Sequence, residues 1–353
     1  MGEILVVGLG PGDIEQLPFG VYQLLKADYP VYLRTKLHPV VANLEEENLQ
    51  FTSFDEIYEA NDQFENVYET IVEKLIDSAQ KTEKPIVYAV PGHPMVAEKS
   101  VQLLLANTKG IQVTIKGGKS FLDDFFQAVK IDPVEGFQLL DALALRQDEV
   151  QMSQHVIIMQ VFNEFIASDV KLTLMEIYPD DHQVALVHSA GSKEEQIDWL
   201  PLYEIDRMEG VHNLTSLYVP PLALDERVAS FATLQTYMDA ITGENGDIWI
   251  QEQTHETLIP YLKEETAELI QAIENEDTEN TIEELGDVLM QVLYHTGFGE
   301  REGYFTLEDV LTTLNKKLRR RHPHVFDGVE INTIEELDKL WQKIKAEEKR
   351  EQP

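Results

Sequence analysis

The pattern of strands and helices changes once along this chain, at Pro220 and Pro221. Before this pair, short apolar segments alternate with helical segments, which is typical of an α/β fold. After about residue 226 the pattern is helical almost throughout, because the two prolines end the last predicted strand. We therefore predict an α/β domain over residues 1–222, a linker over 223–230 and an all-α helical-bundle domain over 231–353.

Six apolar segments of the first domain have the length and composition of strands. They are residues 4–7, 85–90, 111–115, 155–160, 183–188 and 216–219. Between them, residues 66–78 and 96–105 have helical periodicity.

Composition excludes several classes of protein. The formal charge is −36 over 353 residues, so we expect no binding to nucleic acid or to an anionic membrane, which both need a basic surface. There is no cysteine, no apolar run long enough to cross a bilayer, and no basic segment ahead of the first apolar run. We expect a cytoplasmic enzyme without a signal peptide.

Two acidic groups with the same spacing lie fifteen residues apart in the last third of the chain: Glu264, Glu265 and Glu268, then Glu283, Glu284 and Asp287. Each group falls on one helical face, because positions i, i+3 and i+4 are neighbours on a helix. An apolar stripe runs beside each group, comprising Leu262, Leu269, Ile270 and Ile273, then Leu285, Val288, Leu289 and Val292. If the two helices pack through these stripes, the six acids converge along one edge.

Such a cluster indicates a site for a divalent cation. Neighbouring carboxylates raise one another's pKa unless a metal compensates, and this many oxygen ligands favour Mg²⁺ or Mn²⁺ over zinc. A solvated acidic face is the alternative, since 64 residues are Asp or Glu. The matched spacing on two amphipathic helices favours the metal site.

One dense basic run stands out against the acidic background. It comprises Lys316, Lys317, Arg319, Arg320 and Arg321, followed by His322-Pro323-His324. A basic run late in a helix complements the helix dipole. Close to a carboxylate and metal cluster, the same run would clamp phosphate groups.

Three glycine-bearing loops follow predicted strands, at residues 8–13, 90–94 and 116–120. If they gather on one rim of the sheet, they form the place where open α/β folds bind ligands. Ordinary turns would have the same composition, and spacing alone does not decide between the two interpretations.

The region from Ile4 to about Leu222 resembles the tetrapyrrole methylase family. Residues 8–13 match the first loop of that family, and residues 90–94 take the place of its second, with His93 where aspartate is usual. The resemblance implies a two-part α/β fold with S-adenosylmethionine in the cleft between the parts. The residues it implies for binding this cofactor are Gly8, Leu9, Gly10, Gly12, Asp13, Pro91, Gly92, His93 and Ser120.

The region from about Ser230 to the end resembles the MazG family of nucleoside triphosphate pyrophosphohydrolases. The matching motifs are residues 249–254, the two acidic groups, residues 320–326 and residues 341–347. Ile250 and Gln251 stand where Asp and Lys are usual, and only one copy of the helical module is present. The arrangement of the two domains resembles methylase and pyrophosphohydrolase fusion proteins of Gram-positive bacteria.

This second resemblance implies hydrolysis of a nucleoside triphosphate to its monophosphate and pyrophosphate, and a homodimer formed through the helical domain. It implies Glu265, Glu268, Glu284 and Asp287 as metal ligands, with Glu264, Glu283 and Lys345 in catalytic roles. Substrate contacts are expected from Trp249, Lys316, Arg319, Arg320 and Arg321. Two alternatives stay open: a methyltransferase as the main activity, and a regulatory protein that binds nucleotide or S-adenosylmethionine without turnover.

Overall fold

The computed structural model describes residues 2–60, 64–106, 110–212 and 214–351. It contains two compact units, Met1–Arg227 and Val228–Pro353. The first unit is α/β and the second is helical, so the predicted fold class is confirmed.

The first half of the α/β unit is built on a parallel sheet with the order β3-β2-β4-β1-β5. Its central strands β1 and β4 are buried along almost their whole length, which explains their continuous apolar sequences. The strands are β1 Glu3–Gly8, β2 Val31–Leu33, β3 Thr52–Ser53, β4 Ile86–Val90 and β5 Gln112–Ile115. The helices are α1 Phe19–Leu25, α2 Pro39–Glu46, α3 Asp55–Glu59, α4 Phe64–Gln80 and α5 Lys99–Ala106.

The second half of this unit contains a mixed sheet with the order β6-β7-β10-β8-β9. Only the β6–β7 pair in this sheet is parallel. The strands are β6 Phe137–Asp141, β7 His155–Met159, β8 Gln183–His188, β9 Gln196–Pro201 and β10 Thr215–Val219. Helices α6 Phe121–Val129 and α7 Glu164–Met175 belong to this half. The unit is therefore two-part, as expected.

The helical unit consists of seven helices in the described residues. They are α8 Phe231–Thr242, α9 Ile248–Gln251, α10 His255–Glu274, α11 Thr278–Glu302, α12 Leu307–Arg321, α13 Pro323–Phe326 and α14 Ile334–Glu351. Thr254 and Thr306 begin α10 and α12 with capping boxes, and Gly303 ends α11 in the left-handed conformation.

The apolar core of the helical unit surrounds the C-terminal half of α11. Leu293 packs with Met238 and Leu307, and Phe298 packs with Ile250 and Leu258. The N-terminal half of α11 contributes none of the buried apolar side chains in these two clusters, so its contact with α10 depends on other residues.

None of the helices in the described ranges is both long and apolar enough to cross a membrane.

Candidate functional site

The acidic groups of α10 and α11 meet where the two helices pack together. Glu265, Glu268 and Glu284 each offer one carboxylate oxygen, and these three oxygens lie within 4.8 Å of one another. Glu284 is buried, with 8% of its surface exposed, whereas Glu265 is half-buried and Glu268 is exposed. Carboxylates this close repel one another strongly when no cation lies between them.

Burial and mutual repulsion raise the pKa of two of these acids. The pKa of Glu265 is raised first by burial, then by the charges of Asp287, Glu268 and Glu264. The pKa of Glu284 is raised by burial, then by Glu268, Asp287 and Glu265, with a smaller contribution from Glu283. Asp287 therefore belongs to the same electrostatic cluster as the three converging acids. The charge of Glu264 adds to the raised pKa of Glu265, and the charge of Glu283 adds to that of Glu284.

The cluster has the donor set of a hard-cation site. Oε2 of Glu284 is buried and has no hydrogen-bond partner in the described part of the chain. A buried carboxylate oxygen without a partner is costly, and a metal ion bound there would satisfy it. Four oxygen donors from carboxylates fit Mg²⁺ or Mn²⁺.

The expectation that α10 and α11 pack through their apolar stripes holds at most for Leu262, Leu269 and Val288, which are half-buried, because the other five stripe residues are exposed. Ile270 and Ile273 are 52% and 56% exposed, and Leu285, Leu289 and Val292 are exposed as well. The buried residues at this contact include Ala272, Glu284 and Gln291 instead. Glu284 is thus more buried than any apolar side chain of the two stripes.

Gln291 is a site residue that the sequence analysis missed. Its side chain is buried, and its amide lowers the pKa of Glu265 against the burial and repulsion that raise it. The signal was available in the spacing: Gln291 follows Glu284 by seven residues and Asp287 by four, and so lies on the same helical face.

The predicted basic residues make ion pairs away from the acidic cluster. Arg319 pairs with Asp327, while Arg320 and Arg321 share Glu348 at 2.7 and 2.6 Å. These two arginines hold the pKa of Glu348 at about 2. Within the described ranges none of them forms an ion pair with an acid of the cluster.

The other predicted substrate and catalytic side chains are accessible. Lys316 and Lys345 are exposed and form no ion pair within the residues described. Trp249 is 46% exposed and meets the ring of Tyr261 edge-on at 5.3 Å. An indole half open to solvent is available for stacking on a base, which a core tryptophan would not be.

The three glycine loops of the α/β unit come together at the carboxyl ends of β1, β4 and β5. The Gly10 and Gly92 backbones bond each other in both directions, and the Gly8 amide donates to the Gly117 carbonyl at 2.8 Å. A Cβ built on Gly118 would lie 2.6 Å from the Gly8 Cα. Only residues without a side chain allow the loops to approach this closely.

The predicted cofactor-binding side chains at these loops mostly make local contacts. Nδ1 of His93 accepts from the Met95 amide at 3.1 Å, and the Ser120 hydroxyl accepts from the Leu122 amide and caps α6. Asp13 forms an ion pair with Lys193 at 3.4 Å. Leu9 is fully buried. Gly12 lies in the loop of residues 8–13, and Pro91 lies in the loop of residues 90–94.

A second group, also missed from the sequence, joins the two halves of the α/β unit. Nε2 of Gln16 donates to the Gly191 carbonyl at 2.9 Å and to the Asp124 carboxylate at 3.3 Å. Asp124 is buried and pairs with Lys119. Oε1 of Gln16 is buried without a partner among the described residues, beside Gly12. This leaves an unused acceptor at the edge of the glycine loops.

Two family models match the chain. The model for Tetrapyrrole (Corrin/Porphyrin) Methylases matches residues 3–206, and the model for the MazG nucleotide pyrophosphohydrolase domain matches residues 253–326.

Curated relatives cover both regions. The chain is 47% identical over 351 residues to "Uncharacterized protein YabN" of Bacillus subtilis, covering 99% of this chain and 71% of that protein. It is 46% identical over 119 residues to the nucleoside triphosphate pyrophosphohydrolase/pyrophosphatase MazG of Thermotoga maritima, covering 34% of this chain and 45% of that protein.

Among solved structures, uroporphyrin-III-C-methyltransferase from Thermus thermophilus aligns with a TM-score of 0.49 at 20% identity. The alignment covers 66% of this chain and 96% of that one.

Proposed function

Since this chain belongs to the tetrapyrrole methylase family and carries a MazG domain after its methylase domain, we propose that it is a Mg²⁺-dependent nucleoside triphosphate pyrophosphohydrolase with a methyltransferase-like partner domain. The observation that carries the proposal is the convergence of Glu265, Glu268 and Glu284, with a buried carboxylate oxygen left unpartnered among the described atoms. The products are a nucleoside monophosphate and pyrophosphate.

The four acids hold Mg²⁺ or Mn²⁺, with Glu265 and Glu268 on α10 and Glu284 and Asp287 on α11. A bound cation supplies neutralisation of phosphate oxygens and activation of water. Burial and then the charges of the neighbouring acids raise the pKa of Glu284, and a cation bound here would offset that repulsion.

The remaining residues of the proposed site act on the proton and the substrate. Glu264 and Glu283 flank the ligands and are the candidates for accepting a proton from the attacking water. Lys316 and Lys345 are exposed cations available to the triphosphate, with Lys345 in a catalytic role. Trp249 stacks on the base. Arg319, Arg320 and Arg321 can contact phosphate by exchanging their carboxylate partners for it.

A second activity is favoured by the glycine loops. We propose that they bind S-adenosylmethionine, because backbone atoms of Gly8, Gly10, Gly92 and Gly118 converge with no side chain between them. Such a surface lets a ligand approach the backbone at a sheet edge. Calorimetry and a thermal shift with millimolar S-adenosylmethionine test this, and the absence of both signals contradicts it.

We further propose a homodimer through the helical unit. The exposed apolar side chains on α10 and α11 lie on the two helices that carry the acids, and include Ile270, Ile273, Ile282, Leu285, Leu289 and Val292. Exposed apolar groups of this number mark an association surface. Sedimentation of the full chain and of a Leu285→Asp variant tests this. A parent that stays monomeric at every concentration contradicts the proposal.

The decisive experiment incubates the full chain with a panel of canonical and modified nucleoside triphosphates and Mg²⁺. The products are resolved as monophosphate, diphosphate, pyrophosphate and orthophosphate. Equal amounts of monophosphate and pyrophosphate are expected. Release of orthophosphate alone, or no turnover with any member of the panel, contradicts the proposed hydrolase and leaves a regulatory binding protein as the better description.

A further inference from the structure

Gln291 occupies an unusual position for a polar residue. Only 3% of its surface is exposed, although it is a polar side chain two positions before Leu293 of the apolar core. It shares a helical face with Glu284 and Asp287, two of the proposed metal ligands. Glutamine is rarely buried so completely without hydrogen-bond partners for its whole amide group.

The two ends of its side-chain amide are in different situations. The NH₂ end acts on the carboxylate of Glu265, on the neighbouring helix, and lowers its pKa. Oε1 is buried and has no partner among the described atoms, as is true of Oε2 of Glu284 on the same face. Two unpartnered buried oxygens on one face of α11 indicate that a bound species completes this cluster.

We infer that Gln291 is a positioning residue of the metal site, which fixes the orientation of the Glu265 carboxylate by donating a hydrogen bond to it. The inference rests on the proposed function, because it takes Glu265 as a metal ligand. A ligand held in one orientation loses less freedom when the cation binds. The free Oε1 is then an acceptor for water bound in the cluster.

Glu265 needs such a partner more than Glu268 does. Glu265 is half-buried, so bulk water does not orient it fully, whereas Glu268 is exposed to solvent. Gln291 also carries no charge, so it can donate to a carboxylate without adding a cation that would compete with the metal. A lysine or arginine in its place would pair with Glu265 and exclude the metal.

The test uses the full chain and measures Mn²⁺ binding directly, by electron paramagnetic resonance or calorimetry, in addition to hydrolysis. Gln291→Leu keeps the approximate volume and removes both the donor and the acceptor. We expect metal affinity to fall about 10- to 100-fold, the range found for lost outer-sphere partners. The metal-free melting temperature should not fall, because an unpartnered buried acceptor is removed.

A double-mutant cycle separates positioning from a general structural role. If Gln291 acts through Glu265, then Gln291→Leu should change metal affinity little once Glu265→Ala, which removes the acceptor, is already present. The control is Thr296→Val, a buried polar residue of the same helix whose hydroxyl bonds its own backbone, and it should leave metal affinity unchanged.

The outcomes distinguish this inference from the proposed function. If the parent binds Mn²⁺ and Gln291→Leu binds it equally well, the positioning role is refuted while the metal site stands. If Gln291→Leu weakens binding by the same factor with and without Glu265, the residue acts independently and the inference is also refuted. If the parent binds no metal at all, both proposals fail. Metal binding without hydrolysis contradicts the hydrolase and leaves the role of Gln291 intact.

Discussion

Replacing Glu265 by glutamine should move stability and activity in opposite directions. The substitution keeps the shape of the side chain and removes one negative charge from the cluster. One oxygen each of Glu265, Glu268 and Glu284 lie within 4.8 Å of one another. Two unit charges at that separation repel by about 1 kcal/mol in water and by roughly 3 kcal/mol at the effective dielectric of a protein surface.

Solvent reaches Glu265 and Glu268, so the lower value is the better guide. We therefore expect the metal-free helical unit of the Glu265→Gln variant to be more stable by about 1 kcal/mol, a rise of roughly 3–5 °C in melting temperature for a unit of this size. The hydrogen bond from Gln291 survives, since the new amide oxygen also accepts it.

Turnover should fall by well over tenfold, which corresponds to more than about 1.4 kcal/mol of transition-state stabilisation. Added Mg²⁺ should raise the melting temperature of the parent more than that of the variant, because it binds the folded parent more tightly. The assays are pyrophosphate release at saturating Mg²⁺ and melting curves in EDTA and in Mg²⁺.

Glu274→Gln is a matched control, because Glu274 ends the same helix, is exposed and lies outside the converging group. It should change neither property appreciably. The reasoning is refuted if Glu265→Gln hydrolyses triphosphates as fast as the parent. It is also refuted if the variant melts lower in EDTA, because the cluster would then stabilise the fold without a cation.

Three further predictions concern the rest of the molecule. Gly118→Ala should destabilise the α/β unit by about 1–3 kcal/mol and abolish S-adenosylmethionine binding, because the added Cβ would overlap Gly8. Gly20→Ala is the control and should be neutral or slightly stabilising, because a Cβ at this position of helix α1 meets no atom within 4 Å. Melting curves measure the stability of both variants, and calorimetry measures their binding. Burial and then His255 lower the pKa of His295, so near and below about pH 6.5 the unfolded chain binds more protons than the folded chain does. The stability of the helical unit should therefore fall as the pH drops from 7.5 to 6. His295→Gln should flatten that dependence. EDTA should abolish pyrophosphate release and excess Mg²⁺ should restore it, whereas activity that persists in EDTA would contradict metal dependence.

Five of the six strands that the sequence predicted are buried along most of their length, and the exception is the half-buried edge strand β5. Strands β1, β4, β5, β7, β8 and β10 end within one residue of the predicted bounds. Strands β2, β3, β6 and β9 were not predicted. β2 and β3 are too short to show a pattern, and β6 and β9 are only partly buried, so that polar residues interrupt their apolar character.

The acidic cluster was predictable because helical spacing alone places its members on one face of each helix. The way in which the helices meet was not predictable, because the pattern assigns the apolar stripe to the interface and the structure leaves Ile273 and Leu285 exposed. The contact of Gln16 with Asp124 is even harder to predict from the sequence. The two residues are 108 positions apart, on different halves of the unit, and no local pattern connects them.

Residues 8 and 118 restrict how this chain can evolve. The backbone of each glycine lies where a side chain on the other would have to be, so the two residues meet through backbone atoms alone. No substitution elsewhere can shorten a backbone, so compensatory mutation is not available, as it is for overpacked side chains. In a saturation mutagenesis library selected for folding, glycine should be strongly enriched at both positions, while Gly20 tolerates many residues.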